Sequence, residues 1–240
     1  MYQPFGFFAS QEADLPAIEQ SGLLRWFDAD YSANSTTWVD LTGTQDASVD
    51  GTVTHNSLAS ASYYSFPGGA GNEIGQTASA DMQISQSLVQ MMIRTTDTAN
   101  TNYAIASMRA TTSGTGTRYS FHCNPGNSKL GVYNGVNFDS NTISPSIPTD
   151  NTWLWVEFLS TSITLTDFFR DGVPKTNVPR GINTGGGTRP FGIGTPNYGL
   201  TTFGNENFIG DIAVCLVYDT GTRTAGMSNN FNVLKSRFGL

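Results

Sequence analysis

A long apolar stretch near the carboxyl end, residues 207–219, places the strongest limit on the fold. In an extended strand, successive side chains point to opposite faces of the sheet. This alternation divides the apolar side chains into two sets: Phe208, Ile212, Val214, Leu216 and Tyr218 on one face, and Ile209, Ala213, Cys215 and Val217 on the other. A strand that is apolar on both faces is covered on both faces. We therefore predict a central strand in a packed β structure.

The end of the chain has the periodicity of a helix. Apolar residues recur there at steps of four, three and four, which places them on one stripe of an α-helix: Met227, Phe231, Leu234 and Phe238. The polar segment 219–222 has the composition of a turn. The chain is therefore predicted to close with a buried strand, a turn and a short amphipathic helix that ends near Gly239.

This ending resembles that of the laminin-G-like and concanavalin-A-like domains of phage and bacterial surface proteins. In that family a strand of the form Phe-x-Gly-Asp-Ile-Ala-x-x-x-x-Tyr leads into a short helix and a final glycine. The matching positions in this chain are Phe208, Gly210, Asp211, Ile212, Ala213, Tyr218 and Gly239. Val214 stands where the family usually has an acidic residue.

Two further stretches match the same family. The family opens with a Leu, then Trp-Leu-Asp-Ala, and then Trp-x-Asp-x-Ser-Gly. Residues 23–30 and 38–43 match this opening. Phe27 replaces the Leu of Trp-Leu-Asp-Ala, and Thr42 replaces the Ser of the last motif. An aromatic strand also runs into Asp171 and Gly172, where glycine permits a turn with positive φ. The resemblance implies an all-β, concanavalin-A-like (laminin-G-like) jelly-roll β-sandwich with a short C-terminal helix. Pairing of the first and last strands would bring the two ends of the chain together.

The chain is predicted to form one domain with an arm in front of it. No repeat or proline-rich linker divides the sequence, so we assign residues 23–240 to a single sandwich and residues 1–22 to an N-terminal arm. The arm carries Phe5, Phe7 and Phe8 beside a proline and a glycine that prevent a regular strand or helix. Such a cluster is either tucked onto its own domain or docked on another chain. We take the three phenylalanines as candidate partner-docking residues.

Composition argues against two classes of partner. Only 13% of the residues are charged, the net charge is −7, and no basic cluster exists, so we predict no nucleic-acid binding. No apolar run approaches transmembrane length, so we predict no membrane insertion.

Cys123 and Cys215 lie within apolar strand patterns. We interpret them as buried free thiols rather than as a disulfide.

Sugar binding is the one small-ligand function with suitable candidate residues. It needs exposed aromatic faces for stacking and amides or carboxylates for the hydroxyl groups. Five residues predicted on loops meet this need: Tyr63, Tyr64, Asn72, Asn197 and Tyr198. The rim of any β-sandwich contains the same residue types, so the alternative is an ordinary surface.

No cofactor is predicted, with calcium as the one ion considered. Asp28, Asp30 and Asn34 offer hard oxygen ligands near a loop, and the wider family sometimes binds calcium. The alternative is that these side chains make capping and turn hydrogen bonds, which use the same residue types.

The residues that hydrolysis needs are not visible in the sequence. Glycosidases of related sandwich folds use two carboxylates a few ångströms apart, and no Glu has an acidic neighbour along one strand face. His122 and Cys123 are adjacent on a predicted strand, so their side chains point to opposite faces. We interpret His55 and His122 as ordinary strand histidines. The chain is therefore predicted not to be an enzyme.

The function predicted from sequence is that of a non-enzymatic virion structural protein. We expect a capsid decoration or head-fibre protein of a tailed bacteriophage, made in the host cytoplasm without a signal peptide. Its expected partners are other virion proteins of the capsid or tail, and also host-surface glycans for adhesion. It would be a homo-oligomer or part of a large assembly. The alternative is a carbohydrate-binding module of a secreted or surface protein.

Overall fold

Two antiparallel sheets packed face to face form the fold of the computed structural model. The structure describes residues 15–31, 35–109, 118–183, 188–196, 198–199 and 206–240. The strands in this part of the chain are β1 (Leu23–Asp28), β2 (Thr37–Trp38), β3 (Ala47–Asp50), β4 (Thr54–Ser57), β5 (Ser62–Pro67), β6 (Glu73–Gln76), β7 (Ser87–Arg94), β8 (Tyr103–Met108), β9 (Tyr119–Asn124), β10 (Lys129–Tyr133), β11 (Phe138–Thr142), β12 (Leu154–Ser162), β13 (Leu165–Arg170), β14 (Val173–Val178), β15 (Phe191–Ile193) and β16 (Ile209–Tyr218).

The order of the strands confirms the predicted jelly-roll β-sandwich. Sheet A has the order β14-β13-β12-β7-β16-β5-β4, and β1 also pairs with β16. Sheet B has the order β11-β10-β9-β8-β15-β6-β3-β2. The predicted pairing of first and last strands is present, because Leu23–Asp28 runs antiparallel to the second half of β16.

The apolar stretch near the carboxyl end is the central strand β16, as predicted. It lies between β7 on one side and β5 and β1 on the other, and its residues from Ile212 onward are buried. The predicted division between its two faces is wrong beyond Ile212. A bulge between Ile212 and Val214 adds one residue to the strand, which reverses the alternation. Cys215 therefore faces the other sheet with Ile212, whereas Val214 faces outward.

The outer face of sheet A is covered by the carboxyl-terminal helix. Helix α1 (Ala225–Leu234) continues into a short 3-10 helix (Lys235–Phe238). Thr224 caps α1, since its hydroxyl accepts a hydrogen bond from the Met227 amide at 3.2 Å. The helix, the outward side chains of the sheet and the N-terminal segment share one apolar cluster, which includes Ile18, Trp26, Leu88, Met92, Trp155, Leu216, Met227, Leu234 and Phe238.

The described residues before β1 belong to this covering layer. Ile18 is 5% exposed, and the Glu19 amide donates to the Asn230 side chain at 2.9 Å. The Tyr218 hydroxyl donates to the Glu19 carbonyl oxygen at 2.9 Å. Ile18 and Glu19 therefore anchor this segment on the domain, while Leu15 is 48% exposed. Residues 1–14 of the predicted arm lie outside the described residues. In the described part of the chain, no helix combines the length and apolar character needed to cross a membrane.

The main core lies between the two sheets and is rich in aromatic side chains. Phe121 of sheet B stacks on Phe158 of sheet A, with ring centroids 4.7 Å apart. Both predicted free thiols are confirmed as free and buried within this core. Burial raises the pKa of Cys123 to about 12, so this thiol is unreactive at neutral pH.

Candidate functional site

The candidate site arises from the outward-facing side chains of sheet B. Along β9, Phe121 and Cys123 point into the core, so Ser120, His122 and Asn124 point outward. This confirms that His122 and Cys123 lie on opposite faces. The neighbouring hairpin β10–β11 places Tyr133 directly opposite Phe138 in the strand register. Cross-strand partners have their side chains on the same face, so these two rings form a pair.

These side chains line a cleft with a volume of about 370 Å³. Elements that are distant in the sequence contribute to it, because adjacent strands of sheet B bring them together. Its described lining consists of Asn102 and Arg109 on either side of β8, His122 on β9, Tyr133 and Phe138 on the hairpin, and Glu206 shortly before β16.

One wall of the cleft is aromatic. The Arg109 guanidinium lies 5.0 Å from the centre of the Tyr133 ring, a cation–π contact. Phe138 stands nearly perpendicular to the His122 ring at 5.2 Å between centroids. Gly131 provides the space for Phe138, since a Cβ atom there would lie 2.6 Å from the phenylalanine Cζ. The absence of a side chain at residue 131 therefore determines where this wall lies.

The floor of the cleft carries a neutral histidine. His122 Nδ1 lies 3.3 Å from the Asn102 carbonyl oxygen, which can only accept, so Nδ1 carries the proton. Burial lowers the pKa of His122 to about 4, with Arg109 adding to the effect and the Asn102 contact opposing it. The imidazole is therefore neutral at pH 7, and Nε2 is a lone-pair acceptor. Nε2 is buried and has no hydrogen-bond partner among the described residues.

Two charged groups line the cleft and interact electrostatically. Burial raises the pKa of Glu206, and the nearby positive charge of Arg109 opposes that rise. Burial lowers the pKa of Arg109, while Tyr133 and Glu206 oppose the change. Arg109 is 5% exposed, whereas Glu206 is half-buried. Within the described part of the chain the Glu206 carboxylate has neither a hydrogen bond nor an ion pair.

The predicted sugar-binding tyrosines of sheet A are in a strand, so the prediction that they lie on loops is wrong. Both belong to β5. Tyr64 is fully buried, with its ring 4.7 Å from that of Trp38. Tyr63 is half-buried and packs against the Arg94 guanidinium, which lies 4.4 Å from its ring centre. Apolar and polar residues alternate only weakly over residues 50–64, so the sequence does not clearly indicate this strand.

Two other predicted residues lie on loops beside sheet B, as predicted: Asn72 directly before β6 and Tyr198 after β15. The Asn72 side-chain oxygen accepts from the Thr52 amide at 2.7 Å, so it shapes a turn. Tyr198 packs over Gly75, where a Cβ atom would lie 2.3 Å from its ring. Strands β15, β8 and β9 separate this position from the aromatic wall of the cleft. Asn197 lies outside the described residues.

The acidic residues considered for calcium are bound to an arginine. Asp28 is fully buried and accepts two hydrogen bonds from Arg237, at 2.7 and 2.6 Å. Asp30 accepts a further hydrogen bond from the same guanidinium. Asn34 and the docking candidates Phe5, Phe7 and Phe8 lie outside the described residues. Within the ranges that the structure describes, no group of three or more His, Cys, Asp or Glu side chains could hold a metal ion. Calcium binding stays a prediction.

Comparisons with known proteins support the fold. No protein-family model matches the sequence, and no curated protein sequence matches it. Domain 4 of AbnA, an extracellular arabinanase from Geobacillus stearothermophilus solved with arabinotriose, matches with a TM-score of 0.65 and 14% identity, over 89% of this chain and 99% of that one. Trypanosoma rangeli sialidase matches with a TM-score of 0.66 and 13% identity, over 92% of this chain and 34% of that one.

A third similar structure is a binding domain. The binding domain of Paraclostridial Mosquitocidal Protein 1 matches with a TM-score of 0.62 and 11% identity, over 88% of this chain and 52% of that one. This chain spans about a third of the length of the sialidase that it matches. At these identities the likeness shows a shared β-sandwich fold, one that glycan-acting proteins also use.

Sequence reasoning missed the cleft. His122 was interpreted as an ordinary strand histidine, and Arg109 and Glu206 had no recognisable motif. One available signal was the polar side chain of His122 on a strand whose other face is apolar. A second was the pair of aromatic residues, Tyr133 and Phe138, on either side of the Asn-Gly dipeptide at residues 134–135.

Proposed function

We propose that this domain binds a carbohydrate in the cleft of sheet B and does not cleave it. The observation that carries the proposal is the combination of an aromatic wall with two acceptors that no described residue serves, the buried Nε2 of His122 and the half-buried carboxylate of Glu206. Sugars present apolar ring faces and many hydroxyl groups, so sites of this composition suit them. The fold shared with the arabinotriose-bound AbnA domain supports the same class of ligand.

The charged groups of the cleft support binding rather than hydrolysis. Glycoside hydrolysis generally uses two carboxyl groups, one on each side of the scissile bond. Glu206 is the only carboxylate in the described lining of the cleft. Glu73 of β6 lies outside this lining and accepts hydrogen bonds from Thr195 at 3.0 Å and from the Gly199 amide at 2.8 Å, so its oxygens are engaged in holding a loop.

Replacing Tyr133 with alanine should weaken glycan binding at least about tenfold, because the aromatic wall loses its stacking surface. A glycan array with wild-type protein first identifies a ligand, and isothermal titration with that ligand then compares the variants. Tyr63→Ala is the matched control, since it removes a half-buried tyrosine from the other sheet and should leave affinity unchanged. The proposal is wrong if no glycan binds, or if Tyr133→Ala binds as tightly as the wild type. Released sugar products would show that the domain cleaves its ligand.

We also propose that the domain works on a virion of a tailed bacteriophage, as a capsid decoration or head-fibre protein. The support is the sequence resemblance to phage and bacterial surface domains. In this setting the cleft would adhere to host-surface glycans, and Phe5, Phe7 and Phe8 would dock on other virion proteins. The alternative setting is a carbohydrate-binding module of a secreted or surface protein.

Removing residues 1–14 should leave the melting temperature within a few degrees of the parent and abolish attachment to the assembly. The truncation stops before the segment in which Ile18 and Glu19 contact the domain. Co-sedimentation with capsids that lack the protein measures attachment, and calorimetry measures the melting temperature. A truncated domain that still co-sediments, or that unfolds, would contradict docking through the arm.

A further inference from the structure

We infer that the ligand of the cleft is a neutral sugar whose hydroxyl groups donate hydrogen bonds to Glu206 and to His122. This inference rests on the proposed function and specifies its ligand class. It follows from the hydrogen-bonding capacity left unused in the cleft, which is mostly that of acceptors.

His122 supplies the first acceptor. The side chain is 3% exposed and lines the cleft, and its proton is committed to the Asn102 carbonyl oxygen. Nε2 can therefore only accept, and no described residue donates to it. A buried acceptor without a donor is unfavourable, so a ligand that brings a donor gains affinity at this position. A hydroxyl group meets this need, whereas a carboxylate does not.

Glu206 supplies the second acceptor. An ionised carboxylate accepts hydrogen bonds through both oxygens and donates none. No described residue donates to it, and its half-buried position limits the compensation from solvent. Neighbouring hydroxyl groups of one sugar ring can donate to two acceptors at once, which a single isolated hydroxyl cannot do. Glu206 and His122 therefore favour a ligand with several hydroxyl groups.

The charges in the cleft disfavour an acidic sugar. Arg109 and Glu206 carry opposite charges and His122 is neutral, so the described lining has no net charge. Arg109 is the group that would attract a carboxylate, but Glu206 already interacts electrostatically with it. A ligand carboxylate would meet the like charge of Glu206 and the lone pair of His122 Nε2. A neutral sugar avoids both repulsions and can still accept from Arg109.

The test compares neutral and acidic oligosaccharides by isothermal titration. The probes are arabinotriose, cellotriose and lactose on the neutral side, and trigalacturonate and 3′-sialyllactose on the acidic side. We expect at least one neutral probe to bind. If the cleft accepts the lactose unit, lactose should bind at least tenfold tighter than 3′-sialyllactose, which carries the same unit with an acidic sugar attached. Tighter binding of the acidic probes, lost in Tyr133→Ala, would overturn the neutral-ligand inference and leave the proposed function standing. Absence of binding to any probe or array glycan would overturn the proposed function itself.

Two substitutions test the assigned acceptors. Glu206→Gln keeps the shape but removes the charge, and it should reduce the preference for neutral over acidic probes at least tenfold. Asp219→Asn is its control, because it makes the same charge change at an exposed turn outside the cleft. His122→Phe removes the acceptor and should weaken neutral binding about tenfold, whereas His122→Gln, which keeps an acceptor, should lose less. Unchanged affinity in both His122 variants, or an unchanged preference in Glu206→Gln, would contradict the assignment.

Discussion

Replacing Glu157 with alanine should lower the free energy of unfolding by about 3–5 kcal/mol. Glu157 lies on β12 beneath helix α1 and is fully buried. Its carboxylate accepts hydrogen bonds from Arg223 at 2.6 and 2.7 Å, from Gln90 at 2.9 Å and from the Trp155 indole at 3.0 Å. The alanine variant would leave these donors without their acceptor. A charged donor that loses its buried partner is especially destabilising.

Urea denaturation of the wild type and the variants measures this effect. Glu157→Gln should lower the free energy of unfolding less than Glu157→Ala does, because an amide oxygen can still accept a hydrogen bond from Arg223. Asp219→Ala removes an exposed carboxylate and should change stability by less than about 0.5 kcal/mol. A loss below about 1 kcal/mol in Glu157→Ala would show that the network contributes little, as happens when water replaces a buried partner.

Replacing Gly210 with valine should cost about 3 kcal/mol or more. The backbone of a neighbouring strand approaches this glycine closely. Its φ is +149°, a conformation that residues with side chains rarely adopt. A Cβ atom would lie 2.3 Å from the Arg94 carbonyl oxygen, which belongs to the backbone of the neighbouring strand. Either the ladder between β7 and β16 or the conformation of residue 210 must then change.

A second glycine separates the two contributions to this cost. Gly43 also has a positive φ, +74°, but a Cβ atom there would meet nothing within 4 Å. Gly43→Ala should therefore lower the free energy of unfolding by about 1 kcal/mol, which is the cost of a positive φ for alanine. Gly210→Ala should lower it clearly more. Thermal and urea unfolding of the two alanine variants makes the comparison. Equal losses at the two positions would show that the contact with Arg94 is not what requires glycine.

The fold could be predicted because its main signals are local. The two-faced apolar strand and the stripe from Met227 to Phe238 are read directly from side-chain spacing. The alternation failed at Val214 because a bulge depends on how the neighbouring strands pair, which the strand's own sequence does not state. Tyr64 was misplaced for a related reason, since a short strand with polar outward residues resembles a loop.

The site could not be predicted because it depends on contacts between distant residues. Asn102 and Glu206 are 104 positions apart, and only the strand order of sheet B brings them to one cleft. The same limit applies to Asp28 and Asp30. Their composition suggested a cation site, but the cation that binds them is Arg237, more than 200 positions away. Residue types alone do not state which distant side chains share a site, because the topology of the fold decides that.

The two outer faces of the sandwich differ: one carries the segments near the chain termini, and the other carries the cleft. Ile18, before the first strand, and the helical segment from Ala225 to Phe238 both lie against sheet A, whereas the cleft opens from sheet B. A tether at either of these ends would therefore attach behind the domain and leave the cleft pointing away from its support. Many copies fixed in this way on one particle would present their clefts outward together. Weak individual contacts could then add up to firm attachment through avidity.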